Sequence, residues 1–563
     1  MTLLRRLDLT FRRSLVLLIF VVFFALFLVY PLLYTLSGAF VVGGHFSLTY
    51  FGLMLGSSRQ WQLILNSINL AFGATLLSAL IALPLAFVMV RIEFFAKRLI
   101  GVLLLFPLLL PPFVGALGFK QIAGRFGTIN LLLMQTGILN EPVDILGNAR
   151  FFGIVLLQAL HFFPIMYLSL AAALGNLDFA LEEAAWSVGA SRLQAMRRIV
   201  LPLLFPALFS SAALVFVGSF TDLGTPLLFD YRDVLPVQIF NMLSDMNQNP
   251  LGYSLVVFVA VLSLAFFSAS QSSGAGRYER SVRGQRPAPP LYLGRTSEVA
   301  LLGALTLFLC LAFLPHAGVV LLAFSERWSM SILPQSWTLS HFGEVFYHPL
   351  TLVSIRNSVG LSLVSTLLNL MGGFTLAYLL CRTRVPAKWL LGALCVLPLA
   401  IPGIVFAFGY VGAFAGTLLD NRLNPFPLLI VAYAVRKLPY MVRAATNGFE
   451  QASVTLEEAA AGVGAPPAKV FRRVTLPLVA SHLIAGSVLC FAFAMLEVSD
   501  SIILAMEDKF SPIAKALYTL SLRPDGAPLA CALSVIVMLV LLLLVWIGGK
   551  LANRDLGEFF RGA

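Results

Sequence analysis

Long apolar runs alternate with short polar stretches along the whole chain. A hydrocarbon layer about 30 Å thick is crossed by about 20 residues of helix. On that measure the pattern predicts twelve spans. The first six cover 14–37, 62–90, 99–119, 151–173, 203–226 and 251–269. The second six cover 298–323, 355–381, 388–414, 427–446, 478–505 and 528–549. Those longer than the bilayer is thick are expected to tilt or to end in half-helices. The first run, from Ser14, is too long for the apolar region of a signal peptide and lacks a small-residue cleavage site, so it is read as a retained span.

Composition agrees with this reading. The chain has 563 residues, 59% hydrophobic and 11% charged, against about 25% charged in ordinary soluble domains. The expected fold class is therefore an all-α polytopic membrane protein, with lipid as its main surroundings. A net charge of +12 could suggest nucleic acid. The basic residues instead form short clusters between apolar runs, so nucleic acid is excluded as a partner. Arg5, Arg6, Arg12 and Arg13 precede the first span, and Arg91, Lys97 and Arg98 follow the second. Further clusters at Arg192, Arg197 and Arg198, at 277–295, at Arg382, Arg384 and Lys388, at Arg472 and Arg473, and after Lys550 fall on the same side of the count. That side is expected to be the cytoplasm, with both termini on it. No Lys or Arg is read deep inside a span.

The chain repeats itself. "NSINLAFGATLLSAL" from Asn66 matches "NSVGLSLVSTLLNLM" from Asn357, and "FPLLLPPFVGALG" from Phe106 matches "LPLAIPGIVFAFG" from Leu397, both at an offset of 291. The offset falls to 275 by Pro164 and Pro439, so the first half holds 16 extra residues in its 120–150 loop. The expected organisation is a first repeat over 1–269, a polar Gly/Ser/Pro-rich joint without packed structure over 270–297, and a second repeat over 298–563. Six spans return the chain to its starting side. The halves should then be parallel and related by a pseudo-two-fold along the membrane normal, with a translocation path on that axis.

The most polar part of the repeat is a decapeptide, "LEEAAWSVGA" at 181–190 and "LEEAAAGVGA" at 456–465. The loops around it, 176–202 and 451–477, are expected to form two short helices meeting at a glycine corner. In the first loop Asp178 is the expected cap, Glu182 and Glu183 occupy the positive helix end, Gly189 ends the helix and Ser191 with Gln194 forms a capping box. In the second, Thr455 with Glu458 suits a capping box, Gly464 is the corner and Pro466 suits the next first turn. Trp186 stands where the second copy has Ala461, and is read equally as an interface anchor or a membrane-surface aromatic.

Glu183, Ala184, Ala185, Gly189, Ile199, Leu201 and Pro202 follow the pattern Glu-Ala-Ala, three residues, Gly, nine residues, Ile, one residue, Leu-Pro. Glu458, Ala459, Ala460, Gly464, Leu476 and Pro477 repeat it, with Val474 in place of Ile. This pattern resembles the signature of permease subunits of type I ATP-binding-cassette importers, and the likeness covers nearly the whole chain. The resemblance implies that one chain supplies both permease halves. It implies that the loops around Glu182, Glu183, Glu457 and Glu458 couple to a homodimeric cytoplasmic ATPase, which binds ATP and Mg. It also implies that a periplasmic binding protein delivers cargo at a bacterial inner membrane.

No G-x-x-x-x-G-K-[ST] phosphate loop occurs, and "GGKL" at 548–551 lacks its outer residues. The six histidines show no metal-ligand spacing, and no nucleophile–base set is readable. The chain is therefore expected to be a translocation subunit, not an enzyme, with no cofactor or metal of its own. Fused permeases of this kind resemble the ferric-iron branch most, on stretches such as "FTDLGTPLLF" (220–229) and "LEVSDSIILA" (496–505). Relatives carrying phosphonates, sugar phosphates or thiamine remain open. So does a secondary transporter without an ATPase. Asp222 and Glu497 share one position in the two halves, with Asp500 one turn on. Intramembrane carboxylates are costly and usually face a cavity or a partner. They are expected to line the path for a cation, or else to cap half-helices or pair with nearby basic residues such as Arg232 or Lys509.

Overall fold

The computed structural model describes residues 15–42, 44–109, 112–143, 150–243, 250–272, 286, 288–383 and 387–552. The Arg5–Arg13 cluster, residues 273–285 and 287 of the predicted joint and the residues after 552 lie outside them. The described chain is helical apart from three two-stranded pairings of two or three residues each.

Among the described residues nine helices are long and apolar enough to cross a membrane, or eleven if two bent pairs each count as one span. The bent pair Lys388–Ala400 and Gly403–Ala413 turns by 102°. Pro398 and Pro402 explain the break, because each removes a backbone donor and crowds the preceding turn. The segment expected over 427–446 is the helix Phe426–Gln451, 26 residues long. It is not among the nine. Arg436, Lys437 and Arg443 lie within it, which corrects the reading that no cation sits deep in a span.

Two further segments end earlier than expected. The spans predicted at 203–226 and 478–505 are the continuous helices Arg192–Phe220 and Pro467–Met495. Each begins inside a predicted loop, so the second short helix of each loop is the first turn of a long span. Each then stops, and a separate short helix follows, Gly224–Leu228 and Ser499–Leu504. Both long helices widen to a π turn at the same repeat position, Met196–Val200 and Phe471–Thr475. Pro202 and Pro477 are the local cause. A proline has no N–H for the ordinary bond to the carbonyl four residues back, and the turn before it relaxes to a five-residue spacing.

The described residues gather into two compact units, and neither is one half of the sequence. The first draws on Met1–Trp61, Ile239–Val261 and Asn357–Phe510. In it the helix Leu15–Phe40 packs on Gly403–Ala413, where Tyr410 Oη donates to the Phe27 carbonyl at 2.7 Å. The same unit holds a core of Ala377, Met441, Ala445, Phe449, Val479 and Cys490. The second unit draws on Gln62–Gln238, Leu262–Arg356 and Ser511–Ala563. In it the helix Arg295–Ala323 packs on Pro112–Ala123. The contact needs glycine on both sides: a Cβ on Gly118 would lie 2.3 Å from the Pro315 carbonyl oxygen, and one on Gly318 2.4 Å from that of Gly118. Small residues let membrane helices approach to backbone contact. The first helix of each half is thus packed on the third-span helix of the other half.

The end of the predicted joint is also packed within the second unit. Leu291 and Tyr292 pair in parallel with Ile92 and Glu93, Ile92 opposite Leu291. The Phe179 N–H donates to the Arg286 carbonyl at 3.0 Å. The expectation of an unpacked joint fails for these residues, because the strand edge after Arg91 offers backbone partners to Leu291 and Tyr292, and the Phe179 N–H offers one to Arg286.

Candidate functional site

The first decapeptide forms the helix Ala180–Ser187, with Glu182 and Glu183 in its first turn. Phe179, not Asp178, stands at the N-cap, while Asp178 Oδ1, one residue earlier, accepts the Ala180 N–H at 3.1 Å. The helix closes at Gly189, whose φ is +89°. The Gly189 N–H reaches the Trp186 carbonyl at 2.9 Å and the Ala190 N–H that of Ala185 at 3.0 Å. This pair of bonds satisfies the last carbonyls and requires a left-handed residue at the corner. Ser191 and Gln194 then make the predicted reciprocal box, at 3.2 and 2.8 Å.

The second decapeptide forms Val454–Gly462. It ends the same way, with Gly464 at φ +83° and the Gly464 and Ala465 N–H groups on the Ala461 and Ala460 carbonyls. Its start differs from expectation. Ser453, not Thr455, is the cap, its Oγ accepting the Thr455 N–H at 3.3 Å. Thr455 and Glu458 lie inside the helix, since Ser453 reaches the free N–H groups first. Pro466 stands one place before the expected first turn, at an N-cap position where it bonds nothing through its side chain, and Pro467 takes the first helical position.

The predicted residues of the two loops divide by environment. Ala184, Glu458 and Ala459 are exposed, while Ala185 and Ala460 are half-buried. Glu183 faces Arg286 at 3.4 Å. Glu182 and Glu457 turn inward, to Arg91 and to Arg382. Trp186 also turns inward, its ring edge-on to Phe179 at 5.5 Å and beneath Arg192 at 5.9 Å. The most exposed apolar side chains of the loops are Val188 at 84% and Val463 at 86%, each directly before its glycine corner.

A second polar feature lies at the ends of the helices Arg192–Phe220 and Pro467–Met495. Asp222 stands in the break before Gly224–Leu228 and accepts the Gly224 N–H at 3.1 Å. Gln158 Nε2 donates to its other oxygen at 3.0 Å, and Gln158 Oε1 accepts from the Ser219 hydroxyl at 2.5 Å. Glu497 occupies the matching break. Lys437 Nζ donates to it at 2.6 Å, and Arg436 bonds both to it and to Asp500, the latter at 3.1 Å. Tyr433, at the repeat position of Gln158, meets the Ser501 hydroxyl at 2.6 Å. The expected partners Arg232 and Lys509 are elsewhere: Arg232 bonds Asp230, and Lys509 bonds Glu507.

Residues 74–277 and 358–554 each match the model of a family described as binding-protein-dependent transport system inner membrane component. The chain belongs to this family, in duplicate. It is a fused permease of an ATP-binding-cassette importer, a multi-pass inner-membrane protein and a translocation subunit. The putative ferric transport system permease protein FbpB 1 of Haemophilus influenzae is 27% identical over 88% of this chain and 78% of its own length. The ferric transport system permease protein FbpB of Actinobacillus pleuropneumoniae is 26% identical over 95% of this chain and 77% of its own. A crystal structure of a bacterial ABC transporter involved in the import of the acidic polysaccharide alginate is 18% identical, covering 49% of this chain and 99% of that chain with a TM-score of 0.39.

Within the permease, sequence reading missed Arg436 and Lys437, although the signal was there. Two adjacent cations interrupt an apolar run, and two carboxylates stand about 60 residues later at the end of the next span. A buried charge needs an opposite charge, and an apolar span that ends in two carboxylates is a place to look for one. It also missed Arg91 and Arg382, which the charge count treated only as loop cations.

Proposed function

We propose that this permease imports ferric iron, taking it from a periplasmic binding protein and moving it at the expense of ATP. In this reading a homodimeric cytoplasmic ATPase holds the ATP and Mg, and each half of the chain, 1–269 and 298–563, offers it one coupling loop. Both termini then face the cytoplasm, with the basic clusters. The observation that carries the reading is the recurrence of one loop shape from different residues. Two Glu-Ala-Ala helices end in the same pair of backbone bonds at Gly189 and Gly464, each with an exposed valine at its tip. A turn kept only for solubility has no need of a duplicate at that level of detail. ATP-dependent closure of the motor would displace both loops and so bias a two-state membrane part.

Iron is favoured by the Haemophilus and Actinobacillus relatives named above, which span most of the chain and are described as ferric transport system permeases, the first as putative. Asp222 supports it independently, as a carboxylate held by amide and N–H donors with no cation bonded to it among the described residues. Glu497 and Asp500 support it less, because Arg436 and Lys437 neutralise them. The same neutrality weakens the case for an anionic cargo on those two cations. The test is stimulation of ATP hydrolysis in a reconstituted complex with the cognate binding protein loaded with ferric iron, thiamine, a phosphonate or a sugar phosphate. Stimulation by iron alone is expected. Uptake driven by a proton gradient, with no ATPase bound, would instead identify a secondary transporter.

A further inference from the structure

Arg91 and Arg382 are the last residues of the two 34-residue helices Ser58–Arg91 and Pro349–Arg382. They share one repeat position at the offset of 291, and their partners Glu182 and Glu457 share another at 275. The same ion pair therefore recurs on both sides of the 16-residue insertion, between parts of the chain that are far apart in sequence. In both copies the charges are largely withdrawn from solvent, with side chains 10% and 13% exposed at Arg91 and Glu182, and 12% and 20% at Arg382 and Glu457. Each guanidinium also stacks on a phenylalanine, Arg91 on Phe179 at 5.6 Å and Arg382 on Phe449 at 5.5 Å. Arg382 donates further to the carbonyls of Phe449 at 2.9 Å and Ala452 at 2.7 Å, at the C-terminal end of Phe426–Gln451. Carbonyls at a helix end have no partner of their own and carry the negative pole, so a cation is well placed there.

We propose that Arg91 and Arg382 are positioning residues that fasten each coupling helix to the second span of its own half. A helix of 8 or 9 residues has little stability alone. On its far side it is joined to the next span through a glycine corner. A push on such a helix would be taken up by rotation at the corner. The buried ion pair closes that route, and displacement passes into the second span. Glu182 and Glu457 are thus committed inward, which leaves Glu183, Glu458 and the valine tips to meet the motor. The functional side of this inference rests on the ATPase-driven reading above; the mechanical side does not.

Two measurements on the full chain in nanodiscs separate them. The first uses no ATPase. Spin labels at Val188 and Leu80, both exposed, report the distance between the coupling tip and the second span. A narrow distribution is expected, broadened in Arg91→Ala and narrowed again in the charge exchange Arg91→Glu with Glu182→Arg. An unchanged distribution in Arg91→Ala overturns the inference. The second adds the ATPase and iron-loaded binding protein. If the ATPase does not bind the unaltered chain, the proposed function fails and the fastening is judged by the distances alone. If it binds, Arg91→Ala with Arg382→Ala is expected to keep it bound yet lower cargo moved per ATP by about tenfold, the scale of a modest coupling energy. The charge exchange in both halves should recover most of that loss. Full coupling in the alanine variant, or no recovery on exchange, overturns the inference. Should the double alanine variant fail to fold, Arg→Lys at both sites, which keeps the charge but loses the fork, replaces it with a smaller loss expected.

Discussion

Lys437 Nζ lies 2.6 Å from Glu497 Oε2, and Arg436, one residue before it on the same helix, bonds the other Glu497 oxygen and Asp500. Two cations and two carboxylates sum to zero inside the helix bundle. Asp222, in the matching break of the other repeat, is held by Gln158 and backbone N–H groups instead. Equivalent positions in sequence therefore carry different electrostatic work, and the halves are not interchangeable.

That difference predicts unequal costs of neutralisation. Glu497→Gln leaves a buried cation without its partner and is expected to destabilise by about 3–5 kcal/mol. Asp222→Asn keeps most of its hydrogen bonds and should cost about 1 kcal/mol. Thermal unfolding of the purified variants in one detergent measures both. Equal losses would mean that the four-charge cluster is not what holds the break.

Transport should rank the two residues in the opposite order once stability is allowed for. At equal amounts of folded protein, Asp222→Asn is expected to lower iron uptake and stimulated ATP hydrolysis together. Glu497→Gln, assayed below its own unfolding range, should lower them less. Unaltered uptake in Asp222→Asn with Glu497→Gln would remove these two carboxylates from the path.

The corners at Gly189 and Gly464 have open space around them, with nothing within 4 Å of an added Cβ. Alanine there costs only what the left-handed backbone imposes, about 1–2 kcal/mol. That is small against the whole fold and large for one short helix. Gly189→Ala with Gly464→Ala should leave the unfolding temperature of the permease nearly unchanged while reducing stimulated ATP hydrolysis at least several-fold. A loss of stability without a loss of coupling would point to a purely structural corner.

Val188 and Val463 stand out into solvent at 84% and 86% exposure. Val188→Asp and Val463→Asp should fold as well as the parent, within about 0.5 kcal/mol for an exposed site. Co-purification of the ATPase is expected to weaken with one change and to fail with both. Retention of the ATPase by the double variant would place the docking contact elsewhere on the loops.

The all-helical membrane class, the duplication and the two loops could be read from sequence because each is a local property. Apolar runs of bilayer length announce helices whatever surrounds them. Gly189, Gly464 and the Ser191–Gln194 box act through backbone groups only a few residues away, so their geometry follows from spacing. Asp222 and Glu497 could be paired by offset, but not assigned their environments. Those depend on which helix faces the break, Gln158 in one case and Arg436 with Lys437 in the other. Tertiary packing alone decided that Glu182 and Glu457 face inward, and that the helices Leu15–Phe40 and Arg295–Ala323 each pack with the opposite half. Partners that lie 91 or 383 residues apart leave no periodic trace. They meet because a buried charge or a glycine-lined groove accepts only the surface that complements it.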